Sequence, residues 1–167
     1  MKLEARDISE YKVELMQENF NRCHLNKAKA VAWDALEPDE RWLGQADVVI
    51  ADIPCSGLGV IGRKRDIKYK MTPQAVQDIV ELQEKILKVA ASYVKKGGKL
   101  LFSTCTVNKD ENEAHVKWIQ DTLKMTPVSL NGTLPGLVHS PTTQQGFVQL
   151  IPGMQDTDGF FISVFEK

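Results

Sequence analysis

At 167 residues, with 21 Lys and Arg against 22 Asp and Glu and 43% hydrophobic residues, the chain has the composition of one soluble globular domain and is too short for two. A net charge of −1 does not mark the whole molecule as a polyanion binder, and no stretch reaches the apolar length needed to span a bilayer. Met1-Lys2-Leu3-Glu4 lacks the apolar core of a signal peptide, and three widely spaced cysteines argue for a reducing, cytoplasmic setting rather than a disulfide framework.

In chain order, Leu3-Glu4-Ala5-Arg6-Asp7 reads as the end of a strand. A helix follows with Ser9 as N-cap, its apolar stripe formed by Val13, Met16, Phe20 and Cys23. Cys23 on that stripe reads as a small core residue. A short strand from Ala28 to Trp33 ends at Asp34, and the polar segment from Glu37 to Arg41 connects it to the next. Val48 to Ala51 is short, β-branched and bounded by turn residues, which predicts a strand covered on both faces. It runs into Asp52-Ile-Pro-Cys-Ser-Gly-Leu-Gly59, then into the cation-dense Arg63-Lys64-Arg65-Asp66-Ile67-Lys68-Tyr69-Lys70. The basic run is a solvated loop or a phosphate contact, and its position beside a candidate site favours the latter.

Thr72-Pro73 predicts an N-cap with proline in the first turn of a helix carrying Val76, Ile79, Val80, Ile86, Leu87, Ala90 and Val94, with Gly97-Gly98 as its stop. Lys99 to Thr104 reads as a strand ending at Cys105. Asn108 and Glu111 have capping-box spacing for a helix carrying Val116, Ile119 and Leu123. Pro127 to Gly146 reads as irregular connection. Phe147 to Leu150 and Phe160 to Phe165 read as an antiparallel strand pair at the sheet edge.

Alternating strands and helices predict a single α/β domain over residues 1–167 with a doubly wound, mostly parallel sheet. Asp7, Asp34, Asp52 and Cys105 each follow a predicted strand, and in a parallel sheet those strand ends share one edge, where ligands bind. A carboxylate accepts two donors at once; Asp7 suits ribose hydroxyls and Asp34 an adenine amino group, which together describe half of a nucleoside site. The other half, a strand with a glycine-containing turn, is not found before Gly44. His24, His115 and His139 lack metal-site spacing and read as ordinary surface or partly buried residues; Trp33, Trp42 and Trp118 read as packing residues.

Four sequence features are decisive together: Asp52-Ile-Pro-Cys-Ser-Gly-Leu-Gly-Val60 with Arg63 to Lys68, Ser103-Thr-Cys-Thr106, Glu111-Asn-Glu113, and Asp158-Gly-Phe-Phe161. In this order they resemble the catalytic domain of the RNA 5-methylcytosine methyltransferases, within these the Sun-type bacterial 16S ribosomal RNA enzymes. The resemblance implies a Rossmann-like fold and S-adenosyl-L-methionine as cofactor, with Asp7 and Asp34 holding ribose and adenine. It implies Cys105 as nucleophile, Cys55 as the residue assisting product release, and Asp52 near both cytosine and methyl donor. RNA, most specifically 16S rRNA, is the implied partner, with no membrane and no metal.

The family's glycine-rich cofactor loop and the strand before it have no counterpart here. The expectation is a fragment whose sheet lacks its first, central strand, or a rearranged or swapped sheet, as in a swapped dimer. Two other readings remain open: a DNA cytosine-5 methyltransferase, in which Cys55 would be the nucleophile, and a non-catalytic RNA-binding or dimerisation remnant.

Overall fold

A computed structural model describes residues 2–133, 142–154 and 156–167. The chain divides into two compact units, Met1–Asp39 and Glu40–Lys167.

In the first unit, β1 (Leu3–Asp7) and β2 (Ala28–Ala32) pair in parallel, with Asp7 opposite Ala32. Between them runs α1 (Glu10–Arg22), which starts after Ser9 as expected. The cap is made differently, however: the Ser9 hydroxyl makes no capping bond, and the Asp7 carboxylate accepts from the Ser9 N–H at 2.8 Å. Val13, Met16 and Phe20 are half-buried, and α1 has no fully buried residue. Cys23 is exposed, correcting its reading as a core residue; it sits past the last helical turn, off the packed stripe.

The second unit is built on a mixed sheet in the order β3 (Ala46–Asp52), β4 (Val94–Thr104), β7 (Phe160–Glu166) and β5 (Thr126–Pro127), with β6 (Phe147–Leu150) also paired to β7. A one-turn helix, α2 (Ile67–Lys70), and the long α3 (Pro73–Tyr93) join the parallel pair β3 and β4. The start of α3 is as its sequence predicts: Pro73 fills the first turn, and the Thr72 hydroxyl accepts from the Ala75 N–H at 3.1 Å. Its end is not. The helix stops at Tyr93 and β4 begins at once with the fully buried Val94, so the two glycines lie inside the strand rather than closing the helix. Gly98 instead permits a close crossing, since a Cβ there would lie 3.0 Å from the Ala46 and Asp47 carbonyls, where the β3–β4 register shifts.

Leu87, Leu100, Phe102, Ile119, Phe161 and Phe165 form the fully buried centre of this unit. α3 covers one face of β3 through Ile86, Leu87, Ala90 and Ala91. The opposite face of β3 is open: Val48 is 57% and Ile50 69% exposed, which corrects the expectation of a strand covered on both faces. A β-branched run has the same composition whether one face or two are covered.

The C-terminal pair is antiparallel and at the sheet edge, as expected, with β6 on the outer side of β7. β7 lies between β4 and β5, antiparallel to both. Thr126–Pro127, inside the stretch read as irregular, supplies a short strand against Phe165 and Glu166; positions 134–141 of that stretch, with His139, lie outside the described residues. α4 (Glu113–Trp118) continues into a wider turn over Ile119–Leu123. Its N-cap is Asn112, with no capping side-chain bond, so the Asn108–Glu111 capping box does not form. His115 is fully buried, its ring packed against Phe102 and Trp118 with centroids 5.8 and 6.1 Å away. This goes beyond its reading as a surface or partly buried residue: it lies on the inner face of a helix whose polar spacing concealed it.

Candidate active site at the two cysteine turns

The β3–β4 register builds the site. Asp52, the last residue of β3, stands opposite Ser103 of β4, and the Ser103 hydroxyl donates to the Asp52 carboxylate at 3.1 Å. Parallel strands end on the same side, so the turns that follow them meet. Three residues beyond Asp52 and two beyond Ser103, the sulfurs of Cys55 and Cys105 come within 3.3 Å, and both side chains are half-buried. Strand pairing thus brings cysteines far apart in sequence to the same place.

The two thiols cannot ionise together at that separation. Burial, then the hydrogen bond and charge of the neighbouring Cys105 sulfur, push the Cys55 thiol up to about 12. Cys55 therefore keeps its proton at neutral pH.

The backbone of the Cys105 turn is fixed from two further segments. Its carbonyl accepts from the Gly59 N–H at 3.1 Å, and the Gly59 carbonyl accepts from the Gly159 N–H at 2.8 Å. A Cβ on Gly59 would lie 2.5 Å from the Gly159 carbonyl oxygen, so the crossing admits only glycine there. The neighbouring Asp158 receives the Arg63 guanidinium at 3.0 Å, at a shallow open depression lined by Arg63, Met154 and Thr157. Lys70 pairs with Asp66 at 2.7 Å, and Lys64, Arg65 and Lys68 are exposed. The basic run is therefore partly neutralised by its own acidic neighbours.

Beneath the cysteines is a buried polar layer that sequence reasoning assigned elsewhere. Glu111, fully buried, accepts from the Ser56 N–H at 2.8 Å, the Ser56 hydroxyl at 2.5 Å and the Gln83 amide at 3.0 Å. Asn112, equally buried, accepts from the Thr104 hydroxyl at 2.7 Å and donates to the Thr106 carbonyl at 3.0 Å. The signal that could have found them is polarity flanking a helix start without an apolar staple.

The remaining site residues belong to the first unit. Asp7 ends β1, accepting from the Ser9 N–H and from Lys12 at 3.1 Å. The Ser9 bond first, and Lys12 after it, hold its carboxyl below the usual carboxylate range against a small opposing effect of burial. Asp34 follows β2, and its carboxylate accepts from the Leu36 N–H at 2.9 Å. Both stand at the C-terminal ends of paired parallel strands, as their sequence positions predict. Nearby, Arg6 bridges Glu4 and the buried Asp39, each at 2.5 Å, and lies 4.9 Å from the Trp33 ring centroid.

A family model described as 16S rRNA methyltransferase RsmB/F matches residues 1–166. A probable ribosomal RNA small subunit methyltransferase B of Bacillus subtilis is 38% identical over 164 residues, covering 96% of this chain and 36% of that protein. A ribosomal RNA small subunit methyltransferase F of Escherichia coli is 28% identical, covering 98% of this chain and 34% of its own length. The chain thus spans about a third of the curated relatives it matches. Among solved structures, that of PH0851 superposes with a TM-score of 0.86 at 27% identity, over 99% of this chain and 37% of the other. NSun6 from Pyrococcus horikoshii, solved with SFG, gives 0.78 at 25% identity, over 99% of this chain and 41% of the other. The fold is the Rossmann-like α/β fold of methyltransferases, and the chain belongs to the 16S rRNA methyltransferase RsmB/F family.

Proposed function

We propose that the chain is the cysteine-bearing part of an enzyme that methylates C5 of cytosine in RNA, 16S ribosomal RNA in the cytoplasm, with S-adenosyl-L-methionine as methyl donor. The observation that carries this reading is the pair of thiols 3.3 Å apart at the ends of adjacent parallel strands. Cytosine C5 is too weak a nucleophile to take a methyl group directly. The Cys105 thiolate adds to C6, and a proton or hydrogen bond at N3 makes C5 enamine-like. The bound cofactor supplies an electrophilic methyl group for C5. Removal of the C5 proton then expels the Cys105 sulfur. Cys55, which holds its proton at neutral pH, stands against that sulfur as it leaves, the arrangement required of a residue that assists product release.

The residues suit the cofactor in part. Asp7 and Asp34, at neighbouring strand ends, are acceptors for ribose hydroxyls and an adenine amino group. Asp7 now accepts from an exposed Lys12, a contact that ligand donors can replace. Asp52, tied to Ser103, serves the cytosine and the methyl-bearing end. Residues 1–167 form the partial catalytic domain. The strands form two sheets, β1–β2 and the β3-containing sheet, and the free side of β3 is where a further strand of a longer polypeptide pairs. An unstacked base is required at such a pocket, and exposed Lys64, Arg65 and Lys68 serve the RNA backbone.

Covalent trapping on RNA containing 5-fluorocytosine tests the assignment in a polypeptide of the relatives' full length. The adduct disappears in Cys105→Ala and persists in Cys55→Ala. Loss in Cys55→Ala alone would exchange the two roles and favour the chemistry of a DNA cytosine-5 methyltransferase. No adduct in any variant, with salt-sensitive RNA binding retained, would leave an RNA-binding remnant.

A further inference from the structure

We propose that Glu111 is a positioning residue that, with Asn112 and Gln83, locks the two cysteine turns into register. Four residues flank the cysteines, and this layer holds each of them. Pro54 presents its carbonyl to the Gln83 amide at 2.8 Å, and Ser56 gives both its N–H and its hydroxyl to Glu111. The Thr104 hydroxyl donates to Asn112, which donates in turn to the Thr106 carbonyl. The Thr106 hydroxyl closes the ring, 2.7 Å from the Ser56 oxygen and 3.5 Å from Glu111.

A buried carboxylate is costly without compensation, and no Lys or Arg side chain pairs with Glu111 among the described residues. Its donors come instead from three separate segments: the Cys55 turn, the Cys105 turn and α3. An acceptor-only group at that point draws the turns together, whereas an amide would set its own N–H groups against theirs. The inference rests on the proposal that Cys55 and Cys105 act as a pair, and it names what keeps them one.

Thiol–disulfide exchange with glutathione reads the geometry directly. The Cys105 thiolate displaces one glutathione thiolate from oxidised glutathione, and Cys55, deprotonated, displaces the second. Two cysteine thiols are oxidised, one glutathione disulfide becomes two thiols, and the cysteine protons pass to the released thiolates. The equilibrium gives the effective concentration of one cysteine toward the other. The full chain is used with Cys23→Ser, which removes the exposed third thiol.

Glu111→Gln should lower that effective concentration about tenfold. Ser56→Ala, which deletes only a hydroxyl, should shift it the same way by about threefold. Val94→Ala, a core truncation at the opposite end of β4 from Cys105, should reduce the melting temperature and leave the effective concentration unchanged. An unchanged value in Ser56→Ala, or a fall in Glu111→Gln no greater than in Val94→Ala, would overturn the clamp. Because no methyl transfer is read, an intact clamp with no trapped RNA adduct would count against the proposed function alone.

Discussion

Cys55 shows how a side chain takes its chemical role from its surroundings. An unfolded cysteine ionises near 9.0, whereas here burial first, and then Cys105, raise the value to about 12. The folded state therefore retains a proton that the unfolded state releases between those values. Stability falls as pH rises through that window, because the unfolded chain binds fewer protons there. Cys55→Ser should flatten this alkaline slope relative to the parent, measured as urea midpoints from pH 8.5 to 11. Parallel slopes would mean that the thiol is solvated. At this scale the juxtaposition of the two cysteines was legible: Pro-Cys and Thr-Cys each follow an apolar β-branched or aromatic run, and strand ends collect in one place. It concealed Glu111, whose spacing from Asn108 imitates a helix cap while its principal partner, Ser56, lies 55 positions away. Local spacing cannot register a bond of that range. His115 was hidden for the same reason, its partners being rings on β4 and its own helix.

Elements whose causes are local were legible, and those defined by partners were not. α3 begins where Thr72 and Pro73 put it, since cap and ring act within one turn. The strand at Thr126–Pro127 has no intrinsic signal and exists through its pairing with Phe165 and Glu166. β3 is the instructive intermediate. Its residues announced a strand, yet only one face is covered, by α3. The two faces should respond differently to truncation. Leu87→Ala, at a fully buried position, should cost about 2–5 kcal/mol. Ile50→Thr, on the open face, should stay within about 0.5 kcal/mol. Chemical denaturation of both variants checks this, and a cost at Ile50 near that of Leu87 would mean that the open face is covered in solution.

For the whole molecule, the expectation of a doubly wound sheet was right in class and incomplete in connection. Among the described residues, pairing yields β1–β2 and the β3-containing sheet separately. The placement of β7 beside β4 could not be read from hairpin-like proximity to β6, because a strand can pair on both sides. If a further strand completes the cofactor site, a polypeptide of the relatives' full length should bind S-adenosyl-L-methionine at least about tenfold more tightly than this chain, a gain of about 1.4 kcal/mol. Isothermal titration of the two would decide it, and equal affinities would sink the idea.

The crossing of Gly59 and Gly159 couples two distant parts of the sequence. A Cβ on either glycine would run into the backbone of the other, and through Gly59 both bear on the backbone of Cys105. A side chain gained at either position forces the other segment aside and displaces the Cys105 turn with it. Neither position can therefore drift alone over descent. Through this contact the segment that leads into β7 shares the packing constraint of the Cys105 turn, far from it in sequence.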